Sequence, residues 1–319
     1  NNILFNTSGI VTGTIASDTA ANLNSTITNS TTSDALTFTI NIGSAAATDL
    51  TGLDGKTSVV VNASNITTLT GTIAQVQAAY TANSAGTISG LGNEAVTLSD
   101  TSATATALNT LNGVTSGTID STTITSVSGL ATDLNTLYTA GGISNLGDEN
   151  ISITNTGTIA SSTITTLDGY TTGTVSLTGS GSLAMTTTVG QTADLSGVTN
   201  SLTGTLTISD NTGDEAIAGT TGNDIINLTS GIDVVNANGG TDTINVSISN
   251  LTSADNINGA AGTDSINLSS TGTLNYGDLA GVTNVENLNF FSGNDTFQFT
   301  DETSFSSTMS KFSAINIDR

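Results

Sequence analysis

Carboxylates spaced nine residues apart are the part of this chain best suited to chemistry. Gly213-Asp214-Glu215-Ala216-Ile217, Gly222-Asn223-Asp224-Ile225-Ile226, Gly231-Ile232-Asp233-Val234-Val235 and Gly240-Thr241-Asp242-Thr243-Ile244 share one pattern: glycine, any residue, an acid, any residue, a β-branched apolar residue. The acid falls at 215, 224, 233 and 242. Gly262-Thr263-Asp264-Ser265-Ile266 and Gly293-Asn294-Asp295-Thr296-Phe297 continue the pattern after longer gaps, and Asp255 lies nine before Asp264 without the glycine. Oxygen-only donors of this kind suit hard cations, with no thiol or imidazole to attract softer ones.

The spacing dictates an arrangement. Glycine admits the turn, the acid two residues on points into it, and the apolar residue after next packs inward from a short strand. Two turns per coil make an eighteen-residue coil, so Glu215 is expected to stack under Asp233 and Asp224 under Asp242. Strands stack about 4.8 Å apart. Two carboxylates at that distance repel by about 3 kcal/mol at an effective dielectric near 20. A divalent cation held by carboxylate and carbonyl oxygens removes the repulsion, so the stack is expected to be ordered with the metal and loose without it.

These residues resemble the repeats-in-toxin (RTX) proteins exported by bacteria, whose consensus is G-G-x-G-x-D-x-U-x. The resemblance covers about residues 210–300, with Gly219–Asp224 and Gly259–Asp264 the fuller copies. No copy has the second consensus glycine, and Leu228–Asp233 lacks the first as well. The resemblance implies Ca2+ as cofactor. It carries the ligand role to Asp224, Asp233, Asp242, Asp264 and Asp295, and to the carbonyls of Gly219, Gly222, Gly231 and Gly240. Glu215 and Asp255 join them as members of the nine-residue series. It also implies a calcium-binding β-roll and export by a type I route.

The remaining two-thirds repeats at a longer period. Leu91-Gly92-Asn93-Glu94 recurs as Leu146-Gly147-Asp148-Glu149, and Tyr80 maps on Tyr138. Leu50–Gly55, Leu108–Gly113 and Ile164–Gly169 form a third aligned set at nearly equal steps. Such a period means a solenoid or an array, with two coils expected per repeat. Ala95–Ser99, Ile151–Thr154 and Thr174–Leu177 alternate as half-buried strands do. Leu130, Leu134, Leu137 and Tyr138 share one helical face, as do Ile73, Val76 and Tyr80. The expected fold is all-β, a parallel β-solenoid or β-roll with short flanking helices in the N-terminal repeats. Its expected divisions are an N-terminal segment at 1–36, the long repeats at 37–205, and a calcium-binding roll with C-terminal cap at 206–319. The long repeats look like those of large, cyanobacterial-like bacterial surface proteins, which implies an S-layer, filament or adhesin role.

Composition narrows the function. Only 9% of the 319 residues are charged, against about 25% in ordinary domains. Three basic residues face 26 acids, for a net charge of −23, so a polyanion such as nucleic acid would be repelled. No apolar run reaches the roughly 18 residues of a membrane span. Without His there is neither an H-E-x-x-H metalloprotease site nor a base for a serine nucleophile. The broken Gly179-Ser180-Gly181-Ser182 and the pairs Asp148-Glu149 and Asp301-Glu302 are weak catalytic candidates, and no enzyme is expected. The absence of Cys is compatible with secretion. A start at Asn1 without a signal peptide suggests a processed product or an excised fragment.

Thr-x-Thr triplets at 37–39, 123–125, 163–165 and 205–207 raise an ice-binding face, but their spacing is not constant, and Thr is a good strand residue. The expected function is a secreted, extracellular structural protein, a calcium-stabilised subunit or segment of a surface layer or filament that self-assembles. The alternatives are a cell-surface adhesin binding glycans, such as surface polysaccharide, or ice, and more distantly the non-catalytic part of a secreted enzyme.

Overall fold

Short strands joined in parallel make up most of the regular structure of this computed structural model. It describes residues 9–179, 181–187, 192–202, 204–291, 296–298 and 310–317. No sheet among them closes into a barrel. The chain divides into two compact units, Asn1–Ser128 with Thr132–Glu149, and Gly129–Ala131 with Asn150–Arg319.

In the first unit, strands Gly43–Ala46, Ile66–Gly71, Ala95–Leu98, Ile119–Asp120 and Ile143–Ser144 form one parallel sheet. Leu69 pairs with Val96, Val96 with Ile119, and Ile119 with Ile143, so the chain returns to the same sheet at similar intervals. Two such returns fit within one long repeat. Alternation sets the faces: Val96 and Leu98 point inward, while Ala95 and Thr97 face out.

Helices Ala47–Asp54, Ile73–Ala85, Ala105–Asn112 and Ala131–Thr139 connect these strands. Threonine caps the second and third of them. Thr72 forms a capping box with Gln75, Thr104 caps the third helix, and Asp100 accepts the Ile73 N–H at 2.7 Å. The helices correct one expectation. They are not appendages on the flank, because Leu50, Leu53, Leu108, Leu111, Leu134 and Leu137 are buried completely and form one wall of the core. Leu130 does not join that face. It precedes the helix and is exposed.

One device recurs with the long repeat. Tyr80 donates its hydroxyl to Glu94 Oε1, and Tyr138 donates to Glu149 Oε1. Oε2 of Glu94 accepts the N–H groups of Gly92 and Asn93 at 2.8 and 3.2 Å. Oε2 of Glu149 accepts those of Gly147 and Asp148 at 2.8 and 3.2 Å. Each buried carboxylate is thereby satisfied from both sides.

The second unit carries an eight-stranded parallel sheet: Gly157–Ala160, Leu183–Thr186, Leu206–Ser209, Asp224–Asn227, Thr243–Val246, Ser265–Leu268, Asn287–Phe290 and Ala314–Ile317. A second sheet holds Thr192–Asp194, Ala216–Ala218, Val234–Asn236, Asn256–Asn258 and Val282–Thr283. Met185, Ile208, Ile226, Ile244, Ile266 and Leu288 stack in register as an inward column, each fully buried. Helix Ser161–Asp168 adds Ile164 and Leu167 to this core. Outward, Asn227, Asn245, Asn267, Asn289 and Asn316 form an amide ladder, each after the first donating to the one before at 2.7–3.0 Å.

Candidate metal centre

The inward column beside the isoleucines changes character along the second unit. Leu183 pairs with Leu206, and Leu206 with Asp224. From there the same place is held by Asp242, Asp264 and Glu286, each one residue ahead of the paired strand residues. A position that buries leucine in the earlier strands buries aspartate in the later ones, and Glu286 at the end is half-buried. Asp224, Asp242 and Asp264 are all at most 1% exposed.

Hydrogen bonds tie these acids into a ladder. The Asp224 N–H donates to Asp242 Oδ1 at 2.8 Å, Asp242 N–H to Asp264 Oδ1 at 2.8 Å, and Asp264 N–H to Glu286 Oε2 at 2.7 Å. A second ladder runs beside the other sheet, from Glu215 N–H to Asp233 Oδ1 at 3.3 Å and from Asp233 N–H to Asp255 Oδ1 at 2.9 Å. Glu215 therefore stacks on Asp233 and Asp224 on Asp242, each eighteen residues apart in sequence, as the spacing predicts. The later rungs take longer steps. The chain adds a turn between Val246 and Asp255, and the next step contains the 3-10 helix Tyr276–Leu279. The first of these insertions brings Asp255 into the Glu215 ladder.

Glycine in these turns answers a close approach. A Cβ on Gly231 would lie 1.4 Å from the Gly213 carbonyl oxygen, and one on Gly262 would lie 1.5 Å from that of Gly240. The glycine of one turn sits directly on the carbonyl of the turn before, so no side chain fits. Gly222 and Gly240 stack similarly, a Gly240 Cβ falling 2.6 Å from the Gly222 oxygen. A Cβ on Gly219 would meet Asp224 Oδ2 at 2.8 Å, so this glycine clears the space its own acid occupies.

The electrostatics are one-sided. Burial pushes the carboxyls of Asp224 and Asp233 up to about 6 and that of Asp242 up to about 7, with neighbouring acids adding to the rise at Asp233 and Asp242. Asp264 is raised as well, by burial first and then by Glu286. Lys56 donates to Asn24, at 2.7 Å on Oδ1, and Lys311 to the Leu279 and Val282 carbonyls at 2.7 and 3.3 Å. Arg319, the expected ligand Asp295 and the pair Asp301-Glu302 lie outside the described residues.

Asp210, Glu215 and Asp233 form a compact group, all buried, with one oxygen of each within 4.8 Å of the others. Sequence spacing finds two of them and misses Asp210, which closes the strand Leu206–Ser209 and is held by the N–H groups of Asn211 and Thr229 at 2.7 and 3.0 Å. Spacing also misses Glu286. The turn before it passes through Asn284, with a left-handed φ of 52°. Asn284 stacks over Gly259 and not over Gly262, because the chain runs from Thr283 to Asn287 where the strand pair before it runs from Asn258 to Ser265; the shortened turn has no Gly-x-Asp to mark the acid.

Comparison with known proteins finds no match among family models, curated proteins or solved structures.

Proposed function

We propose that this chain is an extracellular structural protein, a calcium-stabilised parallel β-solenoid serving as a subunit or segment of a surface layer or filament. The observation that carries the reading is the burial of two ladders of carboxylates, with Asp210, Glu215 and Asp233 converging at the start of one. A buried carboxylate that keeps an oxygen without a hydrogen bond, as Asp242 and Asp264 do, stays ionised only when it is paired or coordinated. The ladder hydrogen bonds are backbone N–H groups, which do not neutralise them. A hard divalent cation does.

Coordination by few carboxylates gives modest affinity, of the order found in extracellular modules, about 10⁻⁴–10⁻³ M. Such sites fill where calcium is abundant and stay empty where it is scarce. Parallel register from one strand to the next, Leu206 on Asp224 and Leu69 on Val96, supports the coil reading for each unit. An outer face of stacked asparagines supports a structural role over a catalytic one. The test is circular dichroism and thermal melting after chelation, with electron microscopy of the calcium-loaded protein. Calcium is expected to raise the melting temperature and to produce filaments or lattices. Ellipticity and melting that ignore chelation would refute the calcium role, and a monodisperse calcium-loaded monomer would refute assembly.

A further inference from the structure

The buried acids are not equivalent, and the difference lies three or four residues upstream of each. Thr220 is fully buried. Its N–H donates to Asp224 Oδ2 at 2.7 Å, and its hydroxyl lies 2.9 and 3.0 Å from Oδ1 and Oδ2. The Asn200 amide stands 3.4 Å from Oδ1. Both oxygens of Asp224 are thus served by the protein itself. Asp255 is treated the same way, with the Thr252 N–H at 2.7 Å and hydroxyl at 3.1 Å from Oδ2.

Four residues before Asp242 and Asp264 stand Asn238 and Ala260. Their backbones turn through the left-handed region, at φ 69° and 67°. The Asn238 amide is committed elsewhere, donating to the Gly219 carbonyl at 2.7 Å and accepting from Asn236 at 2.9 Å. Ala260 has nothing to offer. Asp242 and Asp264 therefore each receive one ladder N–H on Oδ1, while Oδ2 of each is sealed from water and has no hydrogen-bond partner.

We propose that threonine replaces the metal in part of this array: Thr220 and Thr252 complete Asp224 and Asp255 internally, and a hard divalent cation in the longer ladder is confined to Oδ2 of Asp242 and Asp264. The assignment rests on the calcium reading above. Its physical basis is the sign of the dipoles. At Asp224 an N–H and a hydroxyl aim their positive ends at the oxygens a cation would need, and both would have to be displaced. At Asp242 and Asp264 no N–H or hydroxyl is aimed at Oδ2, and an unmatched buried oxygen costs free energy until something binds it.

Calcium titration calorimetry on chelator-stripped protein, paired with melting curves, tests the assignment. Asp242→Asn and Asp264→Asn are expected to bind fewer ions than the wild type. Each should also melt higher than the wild type without metal, since a buried charge is gone, yet gain less from calcium; a merely structural residue would not give that opposite pair of shifts. Thr220→Gly removes the hydroxyl and loosens the turn that delivers the N–H to Oδ2; it is expected to melt lower without metal and to take up an additional ion at Asp224. An unchanged count and an unchanged calcium increment in Thr220→Gly would overturn the proposal. Asp224→Asn settles the same question by a second route if the glycine variant does not fold: a loss of ions as large as in Asp242→Asn overturns the assignment, and a smaller loss supports it. A wild-type protein that binds no calcium would instead remove the calcium reading itself, and this assignment with it.

Discussion

Asp224, Asp233 and Asp242 carry carboxyls that hold their protons to about pH 6, 6 and 7 in the folded protein, while unfolded aspartate releases its proton near 3.9. Between those limits the folded, metal-free chain binds more protons than the unfolded one, so stability falls as pH rises. The contribution is complete below about pH 4 and gone once pH passes through 6 to 7. Chelated protein is therefore expected to melt roughly 5 °C or more higher at pH 5 than at pH 8. Calcium should reverse the slope, because the ion competes with the same protons. Scanning calorimetry at both pH values with and without chelator checks this; a metal-free melting point flat from pH 5 to 8 would refute it. At this scale the sequence is informative wherever glycine marks the turn. Asp224, Asp233, Asp242 and Asp264 are visible because Gly-x-Asp recurs, whereas Glu286 follows a shortened turn without that glycine, and Asp210 and Thr220 are hidden behind contacts that only the paired strands create. Thr220 in particular looks like any strand or turn threonine until Asp224 is folded back upon it.

Elements in this chain are held by what repeats along them, and the repeat at Leu91–Glu94 and Leu146–Glu149 is one such fastening. Its glutamate accepts two backbone N–H groups on one oxygen and a tyrosine hydroxyl on the other. Burial, with the glutamate beside it, holds the Tyr138 hydroxyl protonated well above the ordinary tyrosine range, so it remains a donor at any working pH. Tyr138→Phe removes that donor and leaves a carboxylate that is 1% exposed with one oxygen unserved by tyrosine. The expected cost is about 1–3 kcal/mol, read as an earlier urea midpoint at unchanged slope. A variant as stable as the wild type would show that water serves Glu149 equally well. The strands around this fastening are legible in the sequence, since Ala95–Leu98 alternates plainly. Helix Ile73–Ala85 is legible too, from Ile73, Val76 and Tyr80. Helices Ala47–Asp54 and Ala105–Asn112 are not, because Leu50-Leu53 and Leu108-Leu111 supply only two apolar spacings among threonines, a pattern that a strand edge shares. The asparagine ladder is equally silent: Asn227, Asn245 and Asn267 align only once the parallel strands are paired at their unequal steps.

Across the whole molecule, buried acids divide by how they are satisfied. In the first unit Glu94 and Glu149 are closed by tyrosine and backbone, and Asp34 accepts the N–H groups of Val11 and Thr31 at 2.8 and 2.9 Å. None of these offers a site that a cation would complete. In the second unit the ladders from Glu215 to Asp255 and from Asp224 to Glu286 do. Calcium should therefore act locally, although a net charge of −23 exposes the entire chain to general screening by salt. Hydrogen exchange followed by mass spectrometry separates the two effects. With millimolar calcium against chelator at matched ionic strength, peptides spanning residues 213–268 are expected to exchange about tenfold more slowly, the change that ligand at ten times its dissociation constant produces. Peptides spanning residues 61–128 should exchange at the same rate in both conditions, because their carboxylates already have partners. Uniform slowing along the chain would mean that calcium acts through bulk charge and not through the ladders. Slowing confined to 61–128 would place the ion where every acid is already served, and would contradict the electrostatic argument at its root.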